Sequence, residues 1–193
     1  RDSNTYSYKT IGSQIWMTEN LAYLPSVSME LTETEASHYY VYGYNGSDVN
    51  TAKETDNYIN YGVLYNWYAA QVACPDGWHL PSTTEWETLT DDLGGKDLAG
   101  GKMKETGTTY WNSPNTGATN ESGFTALGGG YRLGAITGVP AGFYEIREET
   151  SFYSSANTGD MGVSWAVYTS DAKLRSTPYN KRSAYYVRCI KDD

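Results

Sequence analysis

The chain has 193 residues, only 39% of them hydrophobic, with 19 Tyr, 6 Trp and a formal net charge of −9. That length can bury a sizeable core, and the composition builds it from large rings rather than aliphatic side chains. The acidic excess excludes the basic footprint that nucleic acid requires, and no apolar run approaches the ~18 residues of a membrane-spanning helix.

The first predicted element is a hairpin over residues 5–17. Tyr6, Tyr8, Thr10 and Ile11 precede Gly12-Ser13, a plausible two-residue turn, and 14–17 returns. Residues 25–60 are polar and rich in turn signals, which predicts a long surface excursion with a short helix near 30–37. The rings of 39–42 are expected either as a short strand or as a cluster under the loop. A helix is predicted over 61–74, where Val63, Trp67, Ala70 and Cys74 form one stripe and Pro75-Asp76-Gly77 ends it. Residues 78–80 form an extended link. A second helix follows from Ser82, because Ser82-Thr83-Thr84-Glu85 is a capping box, Trp86, Leu89 and Leu93 supply an apolar face, and Gly94-Gly95 stops it.

From residue 96 onward no long helical period is expected. Short apolar runs at 124–127, 131–133, 143–146, 152–154 and 165–168 alternate with glycine turns, the rhythm of short antiparallel strands. The run 184–190 is the clearest strand. It places Tyr185, Val187 and Cys189 on one face, taken as the core side, and Tyr186, Arg188 and Ile190 on the other. No repeat and no compositional break appears, so one domain over 1–193 is expected.

Two cysteines, Cys74 and Cys189, and two histidines, His38 and His79, are present without a CxxC spacing. This argues against structural zinc and leaves either a disulfide or two buried thiols. His79 is expected as a buried imidazole tied to backbone groups rather than as a ligand or base.

Seven ordered stretches carry a resemblance: residues 11–21 (IGSQIWMTENL), 61–67 (YGVLYNW), 74–82 (CPDGWHLPS) with Glu85-Trp86, 99–103 (AGGKM), 123–127 (GFTAL), 129–132 (GGYR) and 187–189 (VRC). Together they resemble the Fibrobacter succinogenes major paralogous domain, found in surface proteins of Fibrobacter and Bacteroidetes. More distantly, that family resembles the C-type-lectin-like fold, which also carries the formylglycine-generating enzymes. The resemblance implies an α+β, C-type-lectin-like domain, with two helices flanking a small antiparallel sheet and long loops. It also implies a Cys74–Cys189 disulfide, and hence an extracytoplasmic setting, at the cell surface or secreted.

Chemistry is weighed against that background. The related enzymes need a reactive cysteine pair or clustered histidines, which this chain does not supply, so no enzyme is expected. Lectin-type calcium runs are missing: Trp111-Asn112-Ser113 lacks the carboxylate, and the oxygens of 112–121 suit turn chemistry. A structural calcium elsewhere stays open, and no other cofactor is expected. The region 152–182 interleaves rings with amides and cations. Tyr153, Asn157, Trp165, Tyr168, Arg175, Tyr179, Asn180 and Arg182 are the candidate ligand-binding residues. The expected function is a recognition module for a glycan or polysaccharide. The alternative is a protein–protein module, an adhesin or fimbria-like subunit meeting a surface protein. Glu145, Glu148 and Glu149 near Arg147 are expected to solvate the surface or to face a cation.

Overall fold

The computed structural model describes residues 4–192. The predicted hairpin opens it: β1 (Tyr8–Ile11) pairs antiparallel with β2 (Gln14–Met17), and Gly12 takes the left-handed conformation, φ 59°, at the turn. Twelve short strands follow one another among the described residues and build three sheets. The first has the order β1, β2, β12 (Ile190–Lys191), β5 (Trp78–His79). The second has β10 (Arg175–Asn180), β9 (Met161–Tyr168) and β8 (Glu149–Thr158). The third runs β3 (Tyr39–Tyr40), β4 (Leu64–Asn66), β11 (Ala184–Tyr185), β6 (Tyr131–Leu133), β7 (Gly142–Tyr144).

The expected α+β, C-type-lectin-like architecture is therefore corrected. The molecule is mostly β, 29% strand against 17% helix, with three antiparallel sheets curled into a half-barrel and five short helices. The predicted helix over 61–74 is the main casualty. Gly62 sits at φ 76° and ends α2 (Asp56–Tyr61). Leu64, Tyr65 and Asn66 then enter β4, buried on both faces, and only α3 (Trp67–Ala70) remains helical, started by the Asn66 side chain accepting from the Ala69 N–H. A strand buried on both faces carries a near-continuous apolar run, so its stripe imitates a helix. The helix expected near 30–37 is absent, and α1 (Val49–Lys53) and α2 occupy the end of the excursion instead. Tyr39 and Tyr40 form the short strand.

The helix from Ser82 is as predicted: α4 (Thr83–Asp92) has both halves of its capping box. The helix after it, α5 (Lys96–Met103), was hidden by Gly100-Gly101. A Cβ at Gly100 would lie 2.3 Å from the Lys173 carbonyl oxygen, and one at Gly101 2.4 Å from that of Gly117. Close approach to the neighbouring chain, not flexibility, selects glycine there.

The last strand run is the seam of the molecule. Residue 184 pairs with both β4 and β6, Tyr186 accepts from the Tyr153 N–H of the second sheet and donates to its Ser151 carbonyl, and Ile190 pairs with Trp16 and His79. The predicted single strand over 184–190 is split into β11 and β12, with 187–189 outside any strand, but the predicted alternation holds and both faces are buried. Tyr185, Val187 and Cys189 enter one apolar cluster with Met17, Leu21 and Tyr65. Tyr186 and Ile190 enter another, where Trp16, Trp86, Phe152 and Trp165 pack ring on ring. Cys74 and Cys189 are bonded, across a separation of 115 residues.

Candidate functional site

Strand register sorts the candidate residues. In the β8–β9–β10 sheet, Glu149 pairs with Tyr168, Ser151 with Ala166 and Tyr153 with Ser164, while Arg175 opposes Ala166 and Tyr179 opposes Gly162. Alternation puts Glu149, Ser151, Tyr153, Tyr168, Arg175 and Tyr179 on one face, and Asn157, opposite Gly162 beyond a register shift, joins them. Phe152 and Trp165 point the other way, into the core. The structure thus gathers Asn157, Tyr168, Arg175 and Tyr179 on one surface.

Four candidates do not belong to it. Trp165 is fully buried and stacked on Trp86 at 5.7 Å between centroids, so it offers no face to a ligand. Tyr153 lies under the face, fully buried, donating to the Ser183 carbonyl. Asn180 and Arg182 form a separate corner, where the Asn180 side-chain oxygen accepts from Arg182 and Glu33 lies 3.7 Å from its guanidinium. These corrections follow from packing: an aromatic-rich core claims rings that composition alone cannot assign.

The centre of the face was missed. Glu149 is only 7% exposed, and its carboxylate accepts from Ser151 Oγ at 2.7 Å and hydrogen-bonds with Tyr168. Burial, with nearby Glu145, pushes its pKa up to about 7, against the opposing hydrogen bond from Ser151. Tyr131 and Tyr168 are themselves pushed upward, by burial first and by Glu149 second. Rings continue around it: Tyr144 stands 6.1 Å from Tyr131, Tyr131 5.9 Å from Tyr185, and Tyr179 5.7 Å from Tyr185. The Tyr185 hydroxyl is buried there without a hydrogen-bond partner among the described residues. Arg175 flanks the group, 5.1 Å over the Tyr168 ring and paired bidentately with Asp171. The alternation Glu149, Ser151, Tyr153 was the sequence signal for this centre. The acidic run 145–149 obscured it by resembling a solvated turn.

That run behaves otherwise than expected. Glu149 is buried, Glu148 accepts from the Asn112 side chain, and Arg147 donates to the Thr108 and Trp111 carbonyls. Only Glu145 is exposed. In the loop 112–121, Asn115 and Asn120 spend their amide groups on neighbouring loop oxygens. Among the described residues no group of three or more His, Cys, Asp and Glu side chains is arranged to hold a metal ion. His79 is half-exposed and clamped by two carboxylates rather than by backbone. Its Nε2 is 2.8 Å from Glu85 and its Nδ1 2.7 Å from Asp192.

Fold and site together define a disulfide-closed, mostly β domain that carries a tyrosine-lined sheet face. The chain belongs to the Fibrobacter succinogenes major domain family, whose model matches residues 10–191. No curated protein and no solved structure matches it. No helix among the described residues is long and apolar enough to cross a membrane.

Proposed function

We propose that this domain is a non-catalytic recognition module of the cell surface or secreted milieu, and that it binds carbohydrate on the tyrosine face around Glu149. The observation that carries the reading is the convergence of partly exposed Tyr131, Tyr168 and Tyr179 around the Glu149 carboxyl. Ring faces take the apolar side of a sugar, while the partly exposed Tyr168 and Tyr179 hydroxyls and the flanking Arg175 offer polar partners to its hydroxyls. A glycan and polysaccharide binding screen tests this. Tyr179→Ala and Tyr168→Ala are expected to reduce binding at least tenfold while leaving the cooperative unfolding transition in place. Binding unchanged in both variants would refute the site.

A protein partner is the second reading. It is favoured by Met29, Leu31, Ile136 and Val139, which are exposed where Glu30 and Glu33 bind the backbone flanking the β6–β7 loop. Loss of pull-down of a surface protein on Leu31→Ser with Ile136→Ser, glycan binding being intact, would distinguish it.

A further inference from the structure

The seam residue Arg188 is 1% exposed, yet no carboxylate among the described residues lies within ion-pair distance of it. Its guanidinium is held by neutral oxygens: Nε donates to Asn20 Oδ1 at 2.7 Å, Nη1 to the carbonyls of Met17 and Phe124, and Nη2 to that of Thr125 at 3.0 Å. The rings of Phe124 and Phe152 lie 4.6 Å and 5.6 Å from it. A guanidinium has five N–H donors, so one is left over. Arg188 also lines a cleft of about 290 Å³, walled by Glu19, Asn20, Tyr58, Asn60 and Thr125. Thr125 is held there at φ 56°, where a β-branched residue is strained, with its N–H donating to Asn120 Oδ1. Such strain persists only where surroundings impose it. Here it delivers the carbonyl that fixes the guanidinium.

We propose that the cleft over Arg188 is a second binding site, for a small ligand bearing a carboxylate. A buried cation satisfied only by neutral dipoles is incompletely compensated, and an anion entering the cleft would complete an ion pair in a medium of low polarity. Arg188 remains charged at neutral pH: burial lowers its pKa, to about 9, and the exposed Glu19 partly opposes that. One spare donor and one uncompensated charge match a monoanion, and Glu19 disfavours a dianion such as phosphate. This site is separate from the tyrosine face and does not depend on it.

The test is an amide NMR titration of the full chain with D-glucuronate and, in parallel, D-glucose, which lacks the carboxylate. Saturable shifts confined to the Asn20, Gly62 and Thr125 region are expected with glucuronate alone. Arg188→Lys is expected to abolish them, but it removes a buried anchor and can fail to fold. Two exposed positions therefore carry the test: Asn60→Trp, which fills the cleft, should remove the shifts, and Glu19→Gln should tighten glucuronate about threefold without affecting glucose. Equal shifts with glucose, no saturable shift with glucuronate, or insensitivity to both rim variants would overturn the proposal.

Discussion

Glu149 shows what burial does to one carboxyl that forms no ion pair among the described residues. Its ordinary pKa of 4.5 rises to about 7 because desolvation outweighs the Ser151 and Tyr168 hydrogen bonds. The folded state therefore holds its proton more tightly than the unfolded chain. Between about pH 4.5 and 7 the folded protein binds more protons, so stability falls as pH rises through that window. A shift of this size corresponds to about 3 kcal/mol once the pH is well above 7. Glu149→Gln keeps the acceptor for Ser151 and removes the charge. Urea denaturation of the variant should give a higher midpoint than the parent at about pH 8 and nearly the same midpoint at about pH 4.5. A variant that is less stable at both pH values would mean the carboxylate is internally compensated and the assignment of its environment is wrong. The same residue explains why the centre of the face escaped notice in the sequence. A Glu among three charged neighbours reads as solvated, and only strand register turns it inward.

At the level of elements, α4 was readable because its signals are local: a serine, a glutamate three residues on, and a glycine stop. The 61–74 helix was not, because β4 is buried on both sides and offers the same apolar spacing a helix would. The candidate face was half readable. Tyr168 lies on a strand found as a short apolar run, but the strand carrying Tyr179 was not foreseen, and which rings face out depends on parity against β8, including a register shift no sequence signal marks. α4 also carries a second device. Glu85 closes the capping box on Ser82 through one oxygen and binds His79 through the other, and His79 in turn holds Asp192 beyond β12. Burial lowers the His79 pKa, but the Asp192 and Glu85 hydrogen bonds outweigh it and the net shift is upward. Its contribution is thus fully present below about pH 6.5 and is lost as pH rises through the raised folded value. His79→Gln should lower the midpoint for thermal unfolding at pH 5.5 and leave it nearly unchanged at pH 9. Equal effects at both pH values would assign the clamp to packing rather than charge.

Across the whole molecule, three sheets meet on one short run of chain, and the two apolar clusters lie on opposite faces of it. Such a seam concentrates risk at the C-terminal end, where β12 has only two residues. The Cys74–Cys189 bond fastens that end to the segment after α3 and closes a loop of 115 residues. In the chain-entropy account a loop of that length is worth about 5 kcal/mol, through restriction of the unfolded chain. The backbone bonds of residues 186–189 and the Arg188 anchors remain when the sulfurs part. The reduced protein is therefore expected to keep its fold and lose stability, not to melt. The double variant Cys74→Ala, Cys189→Ala should show unchanged far-UV circular dichroism, a lower urea midpoint and a slightly steeper denaturant dependence, since its unfolded state exposes more surface. Reduced parent and double variant should agree. An unchanged midpoint in both would place the closure of the seam on the ladder and the buried guanidinium alone, while loss of structure in both would make the disulfide a condition of the fold.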